Sequence, residues 1–192
     1  LARFRKGDPD GAISDYTKAI ELDPRYAQAY GNRGLVRESK GDLDGAISDY
    51  TKAIEMDPRH ALANYNRRGV ARYSKGDPEG AISDYTKAIE LDPRDVQPYN
   101  NLAWLWATSP KEAVRDGKKA VEYALKAAEL TNWQEPNVLD TLAAAYAEAG
   151  KFDEAVKWQN KALSSPDYVK TYGEEGRQRL QLYTQRKPFR DK

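Results

Sequence analysis

The sequence has no cysteine, one histidine and one methionine among its 192 residues. The lack of cysteine excludes disulfides, thiolate zinc sites and cysteine nucleophiles. Long apolar runs are missing too, because no stretch approaches the roughly 18 residues that a transmembrane helix needs. The chain also lacks an excess of charge of either sign, with 31 Lys+Arg against 30 Asp+Glu and a formal net charge of +1. These counts predict no membrane segment and give no electrostatic reason to expect nucleic acid or a membrane as partner.

Motifs for catalysis or cofactor binding are missing as well. His60 has no second histidine to pair with, and neither GxxxxGK[ST] nor GxGxxG occurs. Glu174 and Glu175 are neighbours in sequence, and adjacent residues on a helix do not face each other. The basic run at 186–192 is interpreted as a solvated terminus. The sequence therefore predicts no enzyme, no cofactor and no metal site.

What the chain does contain is a segment that occurs three times. GDPDGAISDYTKAIELDPR (7–25) recurs as GDLDGAISDYTKAIEMDPR (41–59) and GDPEGAISDYTKAIELDPR (76–94), so successive copies start 34 and 35 residues apart. A fixed period of this size indicates a stack of small helical units rather than one globular core. Each copy begins with an aspartate suited to a helix N-cap and ends in Asp-Pro, which stops a helix. Each copy is therefore predicted to form a helix, with Ile13, Tyr16 and Ile20 on its buried face.

The stretches between the copies, residues 27–40 and 62–75, are predicted to form second helices. Tyr30, Gly34 and Arg37 share one face of the first of them at i, i+4 and i+7. A glycine inside a helix costs about 1 kcal/mol relative to alanine. Gly34 and Gly69 are therefore expected where a neighbouring helix approaches closely.

This two-helix unit resembles the tetratricopeptide repeat, whose pattern is W-x2-L-G-x2-Y…A-x3-F…P. The pattern is met here by Tyr30-x2-Arg33-Gly34-x2-Arg37, Ala46-x3-Tyr50 and Pro58. The resemblance implies an all-α fold, a right-handed α-solenoid of antiparallel helix pairs with a C-terminal capping helix. In each pair the first helix is called helix A and the second, formed by the copied segment, helix B. The resemblance also implies a non-catalytic protein–protein interaction module.

The predicted repeat boundaries follow from this pattern. Residues 96–110 keep Tyr99-x2-Leu102-Ala103 as another helix A, although a longer turn separates them from their helix B. The predicted divisions are a truncated first repeat at 1–26, repeats at 27–60 and 61–95, a divergent repeat at 96–132, a repeat at 133–166, a capping helix at 167–187 and a tail at 188–192.

Charged residues occupy some columns that the family pattern fills with apolar ones. Arg33, Arg37, Arg68 and Arg72 stand in Leu and Tyr columns, while Asp15, Asp49 and Asp84 lie beside the helix B aromatics. We expect the arginines to pair with aspartates of adjacent B helices, with buried aliphatic stems and solvated heads. The alternative is a set of solvated charges worth about 0 to 1 kcal/mol per pair.

The candidate binding site is the groove lined by the A helices. In proteins resembling this one, that concave face binds peptides, and side-chain amides along it can hydrogen-bond an extended backbone. An alternative with equal support is that the asparagines cross-link adjacent A helices. The candidate groove residues are Gln28, Asn32, Leu35, Asn66, Arg67, Val70, Tyr73, Asn100, Asn101 and Trp104.

Some related modules hold chaperone C-terminal carboxylates with a clamp of two Lys, two Asn and one Arg. Asn32 and Arg67 match two of these columns, whereas Leu62 and Leu1 stand where Lys and Asn would be needed. The sequence therefore predicts against a chaperone clamp. Of the four tryptophans, Trp104 is predicted to face the groove, and some of the others are expected to fill gaps between irregular repeats.

The residues before Gly7 correspond to the last turns of a helix A. We therefore expect a fragment of a longer array that associates with a second copy through its N-terminal end, giving a homo-oligomer. The expected partner is otherwise a protein or peptide ligand, with no nucleic acid and no membrane. Two alternatives stay open, a structural self-association or spacer region and a regulatory segment of a larger enzyme-containing chain. The sequence identifies neither the ligand nor the compartment.

Overall fold

The computed structural model describes residues 2–191, and of residues 2 and 5 the backbone alone. Within this range the chain is all-α, contains no strand, and divides into two compact units, residues 1–93 and 94–192. Leu1 and Lys192, which belong to the predicted first repeat and tail, lie outside the described residues.

The first unit consists of consecutive helices joined by short turns. Helix α3 packs against α4 and α5 against α6, and α4 contacts α5. Because the turns within these pairs are short, the two helices of a pair run in opposite directions. The helices are α1 (Ala2–Arg5), α2 (Pro9–Leu22), α3 (Ala27–Ser39), α4 (Leu43–Met56), α5 (Leu62–Ser74) and α6 (Pro78–Leu91), with a short 3-10 turn at Pro58–His60.

The second unit repeats this pairing and adds a longer final helix. Helix α7 packs against α8 and α9 against α10, while α11 packs mainly against α10. The helices are α7 (Val96–Thr108), α8 (Gly117–Leu130), α9 (Pro136–Glu148), α10 (Phe152–Leu163) and α11 (Pro166–Thr184), with a 3-10 turn at Glu112–Val114 in the longer connection. The predicted fold class, an all-α array of helix pairs ending in a capping helix, is confirmed.

The copied segment forms its helices for the reasons that the sequence indicates. Asp8, Asp42 and Asp77 cap α2, α4 and α6, each accepting a hydrogen bond from the backbone N–H three residues later at 2.9–3.0 Å. At the other end the aspartate before each proline is the C-cap residue. The copied segments therefore carry their own start and stop signals.

Glycine on helix A makes room for an aromatic ring on helix B. A Cβ added at Gly34 would lie 2.8 Å from Cε1 of the buried Tyr50, and one at Gly69 would lie 2.6 Å from Cε1 of Tyr85. In the second unit the same columns hold Ala103 opposite the smaller Ala124, both fully buried. The expected close approach is confirmed. Helix A carries glycine where helix B carries a tyrosine, and alanine where helix B carries an alanine, so the two residues together fill the space between the helices.

The predicted arginine–aspartate pairs are present, but Arg33 and Arg68 are largely buried rather than solvated at their heads. Arg33 donates two hydrogen bonds to Asp49, at 2.8 and 2.9 Å, and Arg37 donates a third at 2.9 Å. The Asp49 side chain is 3% exposed and that of Arg33 13% exposed, so the charged groups lie inside the helix pair. Hydrogen bonding to Asp49 raises the pKa of Arg33. The expectation of solvated heads is wrong for Arg33 and Arg68, because the carboxylate that each binds is itself buried. Arg37 and Arg72 keep about a quarter of their side-chain surface exposed.

Arg33 and Arg68 also join two repeats. Arg33 Nη1 donates to Thr17 Oγ1 of the preceding helix B at 3.0 Å, and Arg68 does the same to Thr51 at 3.0 Å. Arg68 reproduces the bidentate contact with Asp84. We call this arrangement of one arginine between a threonine and an aspartate the arginine clasp. Asp15 is outside this pattern, because it pairs with Arg3 at 3.0 Å and both side chains are more than half exposed.

The second unit builds the same contact from apolar side chains. Leu102 and Trp106 take the columns of Arg33 and Arg37, and Tyr123 takes that of Asp49. The rings of Trp106 and Tyr123 meet edge to face with centroids 4.9 Å apart. The two helices of a pair can therefore be joined either by an arginine–aspartate ion pair or by apolar and aromatic side chains.

Candidate functional site

A cleft of about 470 Å³ opens between α3 and α5, two successive A helices of the first unit. The wall formed by α3 is one face of that helix, because its residues from Gln28 to Leu35 are spaced at i, i+3, i+4 and i+7. The wall formed by α5 likewise consists of residues three to four positions apart, which share a helix face. The cleft is lined by Ala27, Gln28, Gly31, Asn32 and Leu35 from α3, by Asp57 and His60 from the turn before α5, and by Ala63, Asn64 and Arg67 from α5.

Four of the ten predicted groove residues meet in this cleft, namely Gln28, Asn32, Leu35 and Arg67. The other candidates on α5 do not line it: Val70 is 39% exposed, and Asn66 and Tyr73 are half-buried. The remaining three, Asn100, Asn101 and Trp104, lie on α7 of the second unit. The Leu1 position of the chaperone-clamp comparison lies outside the described residues.

Sequence reasoning missed Asn64, which belongs to the cleft as much as Asn32 does. Its Oδ1 lies 2.7 Å from where a Cβ of Gly31 would be, so the absence of a side chain at Gly31 lets the amide approach α3. The signal was its spacing, since Asn64 precedes Arg67 by three residues and therefore shares its helix face.

Charge in the cleft is concentrated at its two ends. At one end Arg67 Nη1 lies 3.7 Å from Glu38 Oε2, and the Arg67 side chain is 46% exposed. Glu38 also accepts a hydrogen bond from Tyr50, whose pKa is raised by burial, so that the hydroxyl stays protonated as a donor. At the other end the exposed His60 ring lies against Asp57 at 3.0 Å. Between these ends the wall offers amides, which can donate and accept hydrogen bonds at once.

A second surface lies in the second unit, where the chain after α11 folds back over α7. Trp104 Nε1 donates to Asp191 Oδ2 at 3.1 Å, and the Trp104 and Phe189 ring centroids are 5.8 Å apart. The backbone N–H of Asp191 donates to Thr108 O at 2.8 Å. The interpretation of this end as a solvated terminus is wrong for residues 189–191, which are all partly buried.

The other tryptophans fill space, as expected. Trp133 and Trp158 stack with centroids 5.0 Å apart beside a cluster formed by Leu139, Ala162 and Tyr168. Their contacts are with the second unit's own core rather than with the cleft.

Neither surface contains a group of metal ligands. In residues 2–191, no three His, Cys, Asp or Glu side chains are grouped so that they could hold a metal ion. The same residues include no helix that is both long and apolar enough to cross a membrane.

The fold, an array of antiparallel helix pairs, defines a helical-repeat protein. Tetratricopeptide repeat models match residues 1–61, 64–95 and 137–175. The chain belongs to the tetratricopeptide repeat family. Members of this family generally act as non-catalytic scaffolds that bind protein partners, and in this general sense the chain is a protein–protein interaction module.

Solved structures with the same fold include three that match nearly the whole chain. MamA is 24% identical with a TM-score of 0.73, over 90% of this chain and 95% of that chain. TTC0263, a thermophilic TPR protein of Thermus thermophilus, is 21% identical with a TM-score of 0.68, over 95% and 93%. YrrB, described as a TPR protein with an unusual peptide-binding site, is 19% identical with a TM-score of 0.69, over 91% and 87%. No curated protein sequence gives a significant match.

Proposed function

We propose that the chain binds a peptide or helix of a partner protein in the groove formed by its A helices, and that in the first unit the α3–α5 cleft is the binding site. The observation that carries the proposal is the convergence of Gln28, Asn32 and Arg67, from two separate helices, on one open cleft. A peptide-binding site is described for YrrB, which has the same fold, and this supports the proposal by analogy.

The chemistry of the cleft suits an extended backbone. The amides of Asn32 and Asn64 both line the cleft, one from each wall, and can each offer a donor and an acceptor to a peptide unit. Arg67 adds a half-exposed cation beside them, which favours a carboxylate on the ligand. The amides thus contribute affinity for any backbone, and Arg67 contributes preference.

The test is a peptide-library selection that compares the wild-type chain with the Asn32→Ala, Arg67→Ala double variant. We expect the wild type to enrich a set of peptides that contain acidic residues and the double variant to lose that enrichment. Loss of one charged and one neutral hydrogen bond corresponds to roughly 2 to 4 kcal/mol, or at least a 30-fold weaker Kd for an enriched peptide.

The matched control carries the same two substitution types at exposed positions outside the cleft, Asn160→Ala and Arg177→Ala. It should enrich the same peptides as the wild type. Equal enrichment by the wild type and the Asn32→Ala, Arg67→Ala variant would refute the assignment of this cleft.

A further inference from the structure

The segment of residues 187–191 occupies the second unit in the way that a bound peptide would. Phe189 is its apolar contact, with its ring beside Trp104 and 5.5 Å from the guanidinium carbon of Arg179. Arg190 is its cationic contact, with Nη1 2.7 Å from Glu148 Oε2. Asp191 is its anionic contact, through the indole N–H of Trp104. Three consecutive side chains of different chemistry thus each meet a complementary group.

The surface beneath the segment is held in place by contacts that do not involve the segment. Arg179 is 7% exposed and donates to Asp140 Oδ1 at 2.9 Å and to the Tyr168 hydroxyl at 3.1 Å. Its guanidinium carbon lies 5.5 Å from the Trp104 ring centroid, within cation–π range. Glu148 is held from its other oxygen by Arg115 Nε at 3.1 Å. A site whose side chains are already fixed loses little entropy when a ligand binds.

The end of α7 adds backbone recognition. The last carbonyls of a helix have no intrahelical partner and carry the negative end of its dipole. Thr108 O accepts from the backbone N–H of Asp191, and Ala107 O lies 3.4 Å from Arg190 Nη1. The backbone of the segment therefore satisfies Thr108 O, as any extended peptide in this position could, whereas Ala107 O is satisfied by the arginine side chain.

The chain is directed onto this surface by a helix-ending turn rather than by chance contact. Lys187 N donates to Leu182 O at 2.9 Å and Arg186 N to Tyr183 O at 3.0 Å, with Arg186 at a φ of 57°. This is the Schellman motif, here occupied by an arginine in the left-handed conformation that glycine usually takes. Pro188 follows it and prevents the helix from continuing.

We propose that the surface formed by Trp104, Glu148 and Arg179 is a peptide-binding site for an extended sequence of an aromatic residue, an arginine and an acidic residue, and that residues 187–191 occupy it in cis as an internal competitor. This site is distinct from the α3–α5 cleft and extends the proposed function to the second unit. Displacement of the segment by a partner with the same three side-chain types then couples partner binding to release of the chain after α11.

The test measures binding of a fluorescein-labelled peptide, RKPFRDK, to full-length protein by fluorescence anisotropy. The released variant is Phe189→Ala, Arg190→Ala, which removes two of the three side chains that hold the segment. The short connection to α11 gives the segment an effective concentration of order 1 mM at the surface. If the free peptide binds with a Kd of about 100 μM, the segment would occupy the surface about ten times more often than it leaves it empty. We therefore expect the released variant to bind the peptide at least tenfold more tightly than the wild type.

Three further proteins and one peptide make the result specific. Lys187→Ala changes an exposed side chain at the start of the segment that takes no part in the three side-chain contacts of residues 189–191, and it should behave as the wild type. Glu148→Gln in the released background should lose the gain, as should the peptide RKPARDK, which lacks the aromatic side chain. Arg190→Glu in the otherwise intact chain should release the segment by placing a carboxylate opposite Glu148, and it serves as a second route if the double variant folds poorly.

The proposal is overturned if the released variant binds RKPFRDK no more tightly than the wild type, or binds RKPARDK equally well. These measurements do not depend on Asn32 or Arg67. A library selection that refutes the α3–α5 cleft would therefore leave this proposal untouched, and a failure of this proposal would leave the α3–α5 cleft untouched.

Discussion

The arginine clasp gives a prediction in which the protein supplies its own control. Asp49 and Asp15 occupy the same position of two nearly identical segments, in the middle of α4 and α2. Asp49 is 3% exposed and binds Arg33 and Arg37, whereas Asp15 is 51% exposed and binds the exposed Arg3. Substituting each by alanine changes helix propensity equally, so that the difference between the two variants reports the buried pairing alone.

The expected magnitude follows from what each substitution leaves behind. Removing one partner of a buried ion pair costs about 3 to 5 kcal/mol, and the partial exposure of Arg37 reduces this to roughly 2 to 4 kcal/mol for Asp49→Ala. Loss of an exposed pair costs about 0 to 1 kcal/mol, which we expect for Asp15→Ala. Urea denaturation followed by circular dichroism measures both free energies of unfolding, and unchanged m-values would show that the unfolding reaction is the same.

A difference of less than about 1 kcal/mol between the two variants would refute the reasoning, because it would place the buried pair in the energy range of a surface pair. Asp84→Ala provides a repeat of the experiment in the next copy, where the carboxylate is 2% exposed. It should match Asp49→Ala rather than Asp15→Ala.

Three further predictions concern packing, backbone and pH. Gly34→Ala should lower the free energy of unfolding by about 1 to 3 kcal/mol despite the better helix propensity of alanine, because the new Cβ meets the Tyr50 ring. Thermal unfolding should show that the same substitution lowers stability less in a Tyr50→Leu background. Arg186→Gly should raise the free energy of unfolding by about 1 kcal/mol in urea titrations, because glycine adopts the positive φ without strain; an unchanged or lower value would contradict the turn geometry. Burial raises the pKa of Tyr168 to about 12 and also raises those of other core tyrosines, so the folded state favours the protonated form. Their stabilising contribution is therefore complete below the unfolded tyrosine pKa of about 10 and is lost as pH rises above it. Absorbance at 295 nm should show a group of tyrosines that ionise only together with loss of helical circular dichroism, and full ionisation with the fold intact would contradict this; the group is Tyr50, Tyr85, Tyr168 and Tyr183.

The helix pairs could be predicted from the sequence because their signals are local. The caps at Asp8, Asp42 and Asp77 and the stops at Asp-Pro act within a few residues of where they are written. Gly34 was readable for a related reason, since a mid-helix glycine in an otherwise regular pattern requires a close neighbour. Repetition strengthened each inference, as the same signal appears at a constant spacing.

The contacts that were missed depend on distances between segments far apart in the chain. That the heads of Arg33 and Arg68 are buried follows from the depth of Asp49 and Asp84 in the helix pair, which periodicity alone does not give. The contact between Trp104 and Asp191 joins α7 to a segment beyond α11, and nothing local in either segment predicts it. The basic composition of that end favoured a solvated state. The structure instead buries part of it, because the turn at Arg186 directs the chain back over α7 and Phe189 packs against Trp104.

The arginine clasp makes the joints of the first unit interchangeable. Arg33 and Arg68 use the same atoms and the same two partner types, so neither joint distinguishes which copy it connects. If one period were deleted, Arg68 would meet Thr17 in place of Thr51, and the new joint would be chemically the same as the old. The array can therefore change length by unequal recombination without a compensating substitution. In the second unit the columns of the clasp hold different side chains, such as Trp106 and Tyr123 within the α7–α8 pair, so the same deletion there would not bring equivalent residues together.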